Sequence, residues 1–101
     1  MKLIIHCFIG YFTKHLESVS CIEGEKAVLL CEVSEEVKDF EWFKNGVKIT
    51  KSEKYKLRAI DKECRLEIDN AGLLDGGTYS VVVNGWKSLA DILVQGMNSL
   101  E

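Results

Sequence analysis

Short runs of alternating hydrophobic and polar residues fill this chain, and turn-forming residues break the runs every few positions. From Ala27 to Val33 a period of two puts Ala27, Leu29, Cys31 and Val33 on one face. From Asp39 to Lys44 the same period turns Phe40 and Trp42 inward, and Asp39, Glu41 and Phe43 outward. Tyr55 to Ile60, Cys64 to Ile68 and Thr78 to Val83 read as further strands, with Leu66 and Ile68 buried. Trp86 to Gln95 is the last strand, and Ala90, Ile92 and Val94 face inward. Tyr11 to Leu16 and Ser18 to Ile22 form a split first strand, and Val47 to Thr50 a short one. Asn45-Gly46 and Asn84-Gly85 predict type I′ hairpin turns, because both residues of each pair accept φ > 0. Glu23-Gly24-Glu25 and Asp61-Lys62-Glu63 are turns, and Asp69 to Gly77 crosses between sheets. No stretch sustains a helical period. The expected architecture is all-β: two antiparallel sheets packed as a sandwich, with Greek-key connections.

The ends stand apart from that pattern. Residues 1–10 carry one lysine and then an apolar run, like a stunted signal peptide. The run is short, His6 interrupts it, and no small-x-small cleavage site follows. The segment is read as a leader or β-extension of uncertain origin, residues 11–95 as one domain, and residues 96–101 as a polar tail.

Composition narrows the function classes. The chain has 101 residues, 47% hydrophobic and 29% charged, which describes one ordinary globular domain. Thirteen basic and sixteen acidic residues leave a net charge of −3. That balance argues against nucleic acid as a partner, which calls for a basic stripe or patch. The apolar runs fall far short of a membrane span. There is no proline, a residue that commonly blunts edge strands; charged side chains could protect the sheet edges instead.

Cys31, Trp42 and Tyr79 sit at the spacings of an immunoglobulin-type sandwich. In that fold a buried Trp packs on a disulfide between the sheets, and a Tyr stands two residues before the second Cys. Here Val81 occupies that second position, so the usual bridge cannot form and the core closes by packing alone. From about Phe12 to Val94 the chain resembles the I-set immunoglobulin domains of intracellular muscle proteins: titin, obscurin, myomesin and the myosin-binding protein C family. The resemblance is carried by Glu23-Gly24-Glu25, Cys31 and the Trp42-Phe43-Lys44-Asn45-Gly46 run. It continues through Lys51-Ser52-Glu53-Lys54-Tyr55, Leu66-Glu67-Ile68, Asp75-x-Gly77-x-Tyr79 and Ala90-x-Ile92-x-Val94. It implies a core of Cys31, Phe40, Trp42, Leu66, Ile68, Tyr79, Val81, Ala90 and Ile92. It also implies a tyrosine corner at Tyr79, with Asp75 capping the turn and Gly77 supplying a backbone geometry a β-carbon would oppose.

Candidate chemistry is sparse. Cys7, Cys21, Cys31 and Cys64 allow three pairings. The missing bridge and the absence of any Asn-x-Ser/Thr sequon favour a reducing compartment. Cys64 has inward parity beside the strand that holds Cys31. No C-x₂-C or H-x₃-H spacing suggests a metal, and the glycines fall in turns rather than in a phosphate loop. No catalytic residue, cofactor or small-molecule substrate is expected. Phe43 and Leu93 face outward and are candidate partner surface. Trp86 is the residue most suspect of binding, although packing on its own hairpin is preferred.

The resemblance implies a non-catalytic spacer, docking and force-bearing module of a cytoplasmic, sarcomeric or cytoskeletal protein. Its partners would be neighbouring immunoglobulin or fibronectin type III modules and filament proteins. Resistance to pulling would come from a parallel pairing of Ser18 to Ile22 with Ala90 to Val94. The rival reading is an extracellular recognition domain of an adhesion molecule or receptor, using residues 1–10 as a degraded signal.

Overall fold

Ala27–Val33 forms a seven-residue strand with the alternation its sequence dictates: Ala27, Leu29, Cys31 and Val33 are buried and the residues between them face out. The same logic builds the rest of a computed structural model that describes residues 11–96. Residues 1–10, read above as a leader or extension, and all of the 96–101 tail except Gly96 lie outside the described residues. In chain order the strands are β1 (Phe12–Lys14), β2 (Val19–Ile22), β3 (Ala27–Val33), β4 (Phe40–Lys44) and β5 (Val47–Lys48). They continue as β6 (Tyr55–Ile60), β7 (Glu63–Ile68), β8 (Gly77–Val83) and β9 (Trp86–Gln95), with a 3₁₀ turn at Leu73–Asp75.

Two sheets result, a four-stranded one in the order β1-β3-β7-β6 and a five-stranded one in the order β2-β9-β8-β4-β5. The split first strand therefore serves both sheets. β1 pairs antiparallel with β3, and β2 pairs parallel with β9. β1 is shorter than the sequence pattern suggests, because its register with β3 already slips between Phe12 and Lys14 and the chain then leaves for the other sheet. β5 is shorter too. One further ladder contact follows it in the same register: Ile49 is buried, and its N–H donates to the Trp42 carbonyl at 2.9 Å.

The core lies between the sheets. Trp42 faces Val81 in register across β4 and β8. On the opposite sheet Leu29 faces Leu66, Ala27 faces Ile68 and Cys31 faces Cys64. Trp42, Tyr79, Val81, Cys31, Cys64, Leu66 and Ile68 are wholly buried, Ala90 and Ile92 nearly so, and Phe40 half-buried against them. Cys31 and Cys64 are free thiols. Among the described residues the Trp42 Nε1–H has no partner at normal hydrogen-bond geometry, only the Cys64 thiol nearby, so the residue is held chiefly by volume.

One corner is fixed by polar contacts instead. The Tyr79 hydroxyl donates to the Asp75 carbonyl four residues upstream. The Asp75 carboxylate accepts from the Gly72 amide at 2.7 Å and from the Tyr55 hydroxyl at 3.3 Å, and pairs with the Lys54 ammonium at 2.9 Å. Gly77 next door has φ 154°, and a Cβ there would come within 3.1 Å of the Asn45 side chain. That side chain accepts the Thr78 N–H at 3.0 Å, tying the β4–β5 turn to the start of β8. Both Asn-Gly turns have the two positive φ values of type I′: 49° and 85° at Asn45-Gly46, 49° and 89° at Asn84-Gly85.

Burial works against the charge on Asp75, but the Gly72 amide and Lys54 outweigh it and hold the carboxyl below its ordinary value of 3.8. The Arg65 guanidinium does the same for Glu67, and the Lys56 ammonium for Asp69. Each group binds its proton less tightly folded than unfolded. The stabilisation is therefore complete above the ordinary carboxylate range and is lost as pH falls through the depressed native values.

Two measurements check this account. Replacing Trp42 by Ala should cost about 3–5 kcal/mol in urea denaturation, with Trp42→Phe far milder because most of the volume stays; an equal loss for both would mean that volume is not what counts. The urea midpoint should be flat between about pH 5 and 7 and decline in more acid solution. Asp75→Asn should lower stability at neutral pH by about 1–3 kcal/mol and flatten that decline.

Candidate functional site

β2, the second part of the split first strand, lies at the edge of the five-stranded sheet beside β9, the last strand. β1 ends at Lys14, and the crossing that follows is sewn to β9 by two serines. Ser88 Oγ, buried, accepts the Leu16 N–H at 3.1 Å and lies 3.0 Å from His15 Nδ1, which can take its proton. Ser18 Oγ accepts the Asp91 N–H at 2.9 Å. The parallel ladder follows directly, with Val19 opposite Ile92, Ser20 opposite Leu93, Cys21 opposite Val94 and Ile22 opposite Gln95. The Glu23 N–H closes it on the Gln95 carbonyl at 2.8 Å.

The pole where β8 turns into β9 is organised by Asn84. Its Oδ1 accepts the Lys38 and Asp39 N–H groups at 2.9 and 3.0 Å. Its Nδ2 donates to the Tyr11 hydroxyl at 2.6 Å and to the Glu36 carbonyl at 3.0 Å. Trp86 has inward parity on β9, shared with Ser88 and Ala90, but sits beyond the end of the core. It stacks on Tyr11 with centroids 5.3 Å apart and planes 16° apart, and remains 56% exposed. This differs from packing on its own hairpin. The partner comes from the start of the first strand, because inward parity aims the ring across the sandwich end.

The proposed partner residues do not form one patch. Trp86 caps this pole, while Leu93 lies seven residues along β9, roughly 23 Å away, beside Ser20 of β2. Phe43 is half-buried on the outer face of the five-stranded sheet. There Ser80 separates it from Leu89, since Phe43 faces Ser80 on one side and Ser80 faces Leu89 on the other. Leu89, Leu93, Val47, Leu73 and Leu74 are exposed. Of these the sequence reading named only Leu93; the outward parity of Leu89 was the available signal.

Buried Cys31 and Cys64 face each other across β3 and β7. The Cys64 thiol is pushed far up by its hydrogen bond with Cys31 and by burial, so it is not a ready nucleophile at neutral pH. Cys21, on β2, is half-exposed; its thiol is raised by burial and then by Glu25 and Asp75. Among the described residues no three His, Cys, Asp or Glu side chains gather as metal ligands would.

Comparison with known proteins agrees with this geometry. The family model of the immunoglobulin I-set domain matches residues 10–88. The cardiac-type myosin-binding protein C of Mus musculus is 38% identical over 85 residues, covering 82% of this chain and 7% of that protein. The slow-type protein of Homo sapiens is 39% identical over 84 residues, covering 81% and 7%. The chain thus spans a small fraction of these relatives. Among solved structures, domain I10 from titin superposes with a TM-score of 0.79 at 32% identity, over 83% of this chain and 96% of that one. The I9–I11 tandem from titin gives 0.80 at 26% identity, over 84% of this chain and 32% of the tandem. With the two-sheet sandwich, the tyrosine corner and these matches together, the chain belongs to the immunoglobulin I-set family.

Proposed function

We propose that this domain is a spacer, docking and force-bearing unit of a multidomain sarcomeric or cytoskeletal protein in the cytoplasm. The I-set fold and the muscle-protein relatives support a structural and interaction module. The parallel pairing of β2 with β9, extended by Ser18 and Ser88, is the observation that carries the finer reading. Shear across such a ladder must break several hydrogen bonds at once, which gives mechanical resistance without an inter-sheet disulfide. The tandem of titin domains supports a place in a row of similar modules, where neighbouring immunoglobulin or fibronectin type III units would be its first partners. The relatives are named for binding myosin, so filament proteins belong to the same proposal. Trp86 with Tyr11 at one pole, and the outer face around Phe43, Leu89 and Leu93, are the surfaces offered for docking. No catalytic role is assigned. The relatives described above are muscle proteins, and nothing in them favours the extracellular alternative.

Single-molecule pulling of the domain between handles at its two ends tests the force-bearing role. Cys21→Pro, in the middle of β2, should remove about one to two clamp hydrogen bonds and speed unfolding under load about 10- to 100-fold. A substitution of equal equilibrium cost on β6 should leave the unfolding force nearly unchanged. Equal effects of both would refute the clamp.

A further inference from the structure

A cationic trough runs along the seam between the edge strands of the two sheets, β5 and β6. Its larger part, about 470 Å³, is bounded by Lys44 and Lys48 and floored by Val47, Ile49 and Tyr55. A second hollow of about 230 Å³ adjoins it at Ser52 and carries Lys51, Lys56 and Arg58 around Leu57. Five cations and no carboxylate line the two hollows, in a chain whose net charge is −3.

Several of those cations are occupied. Lys48 pairs with Glu41 at 3.2 Å, Lys56 with Asp69 at 2.6 Å, and the Lys44 ammonium reaches the Leu74 carbonyl. Lys51 and Arg58 have no ion-pair partner among the described residues. Arg58 also stands directly opposite Arg65 across β6 and β7. Like charges so placed oppose pairing. Arg65 makes the close ion pairs with Glu63 and Glu67; Arg58 shares a hollow with Glu63 and helps lower the Glu67 carboxyl, but makes no close pair among the described residues.

The backbone beside these cations is open. The Asp69 N–H donates to the Lys54 carbonyl, so alternation turns the backbone groups of Lys56 and Arg58 toward β7. Those of Leu57 and Ala59 then point away from the sheet, along a free edge. Single charges commonly serve to keep such an edge unpaired. A concentration of one sign, with an apolar floor on the inner side, does something more selective: it repels most strands and attracts one kind.

We infer that β6 accepts an extended acidic segment of a partner protein as a fifth strand of the four-stranded sheet. Alternate side chains of that segment would be carboxylates lying beside Lys56 and Arg58 on the outer face. The residues between them would be aliphatic and would drop into the trough over Tyr55, Leu57 and Ile49. Main-chain bonds to Leu57 and Ala59 supply affinity, and the charge pattern supplies selection. The inference deepens the docking half of the function proposed above and rests on it; it is independent of the β2–β9 clamp.

The test uses the whole chain and a labelled peptide of about eight residues that alternates glutamate with valine. Fluorescence anisotropy measures affinity, and amide shifts in the ¹⁵N-labelled domain locate the site. Saturable binding with shifts concentrated on β6 and β5 is expected. Lys51→Glu with Arg58→Glu, both at surface positions, should weaken binding about tenfold or more and let the lysine–valine counterpart bind instead. No binding by the glutamate–valine peptide would overturn the inference. Equal binding of a scrambled acidic peptide or a single-stranded oligonucleotide would also overturn it, because charge alone would then suffice. Shifts confined to the outer face around Leu89 and Leu93 would refute this site while leaving the docking reading intact.

Discussion

Two sheets with no covalent link between them depend on what fills the space they share. Here that is the Trp42 indole, which lies between Val81 on its own sheet and the paired thiols of Cys31 and Cys64 on the other. A bridge closing a loop of this size would contribute about 4 kcal/mol by the chain-entropy account. Its absence puts a comparable demand on packing. The buried aliphatic rows on either side of Trp42 meet that demand, and buried Ile49 closes the core where β5 ends. The first strand adds a second tie between layers, since β1 belongs to one sheet and β2 to the other.

Much of this could be read from the order of residues, for a definite reason. Strand parity is local: once Leu29, Cys31 and Val33 share a face, neighbouring strands must follow the same two-residue beat. The Asn-Gly pairs gave the turns because positive φ is a local property too. Nothing local shows that Asn84, besides turning the chain, holds the loop at Glu36, Lys38 and Asp39 and Tyr11, just before β1. Side-chain contacts between segments distant in sequence have no periodicity to betray them. Ser88 and Ser18 belong to the same class: each reads as an ordinary strand or loop serine until the crossing chain arrives beside it.

Surface function was the least legible. Outward parity pointed to Phe43 and Leu93, but parity cannot say that Ser80 and Leu89 complete a row with Phe43 while Leu93 stands apart. Nor could the even mixture of charge along the chain show that folding sorts it. The outer face of the four-stranded sheet mates acids with bases through Lys26, Glu67, Arg65 and Glu63. The trough beside β6 is lined by cations, of which Lys48 and Lys56 pair with acids outside it, Glu41 and Asp69. Segregation of charge in a weakly acidic protein arises only from topology.

The parallel ladder has one consequence that concerns the making of the protein. Ser18 and Asp91 are 73 residues apart, so the β2–β9 contact must close nearly the longest loop the domain possesses. Contacts of that sequence separation are slow to win against chain entropy. During synthesis from the N-terminal end, β2 emerges early and waits for a partner that is translated last. Until β9 clears the ribosome, the chain can assemble hairpins from β3 to β8, yet the parallel ladder does not exist.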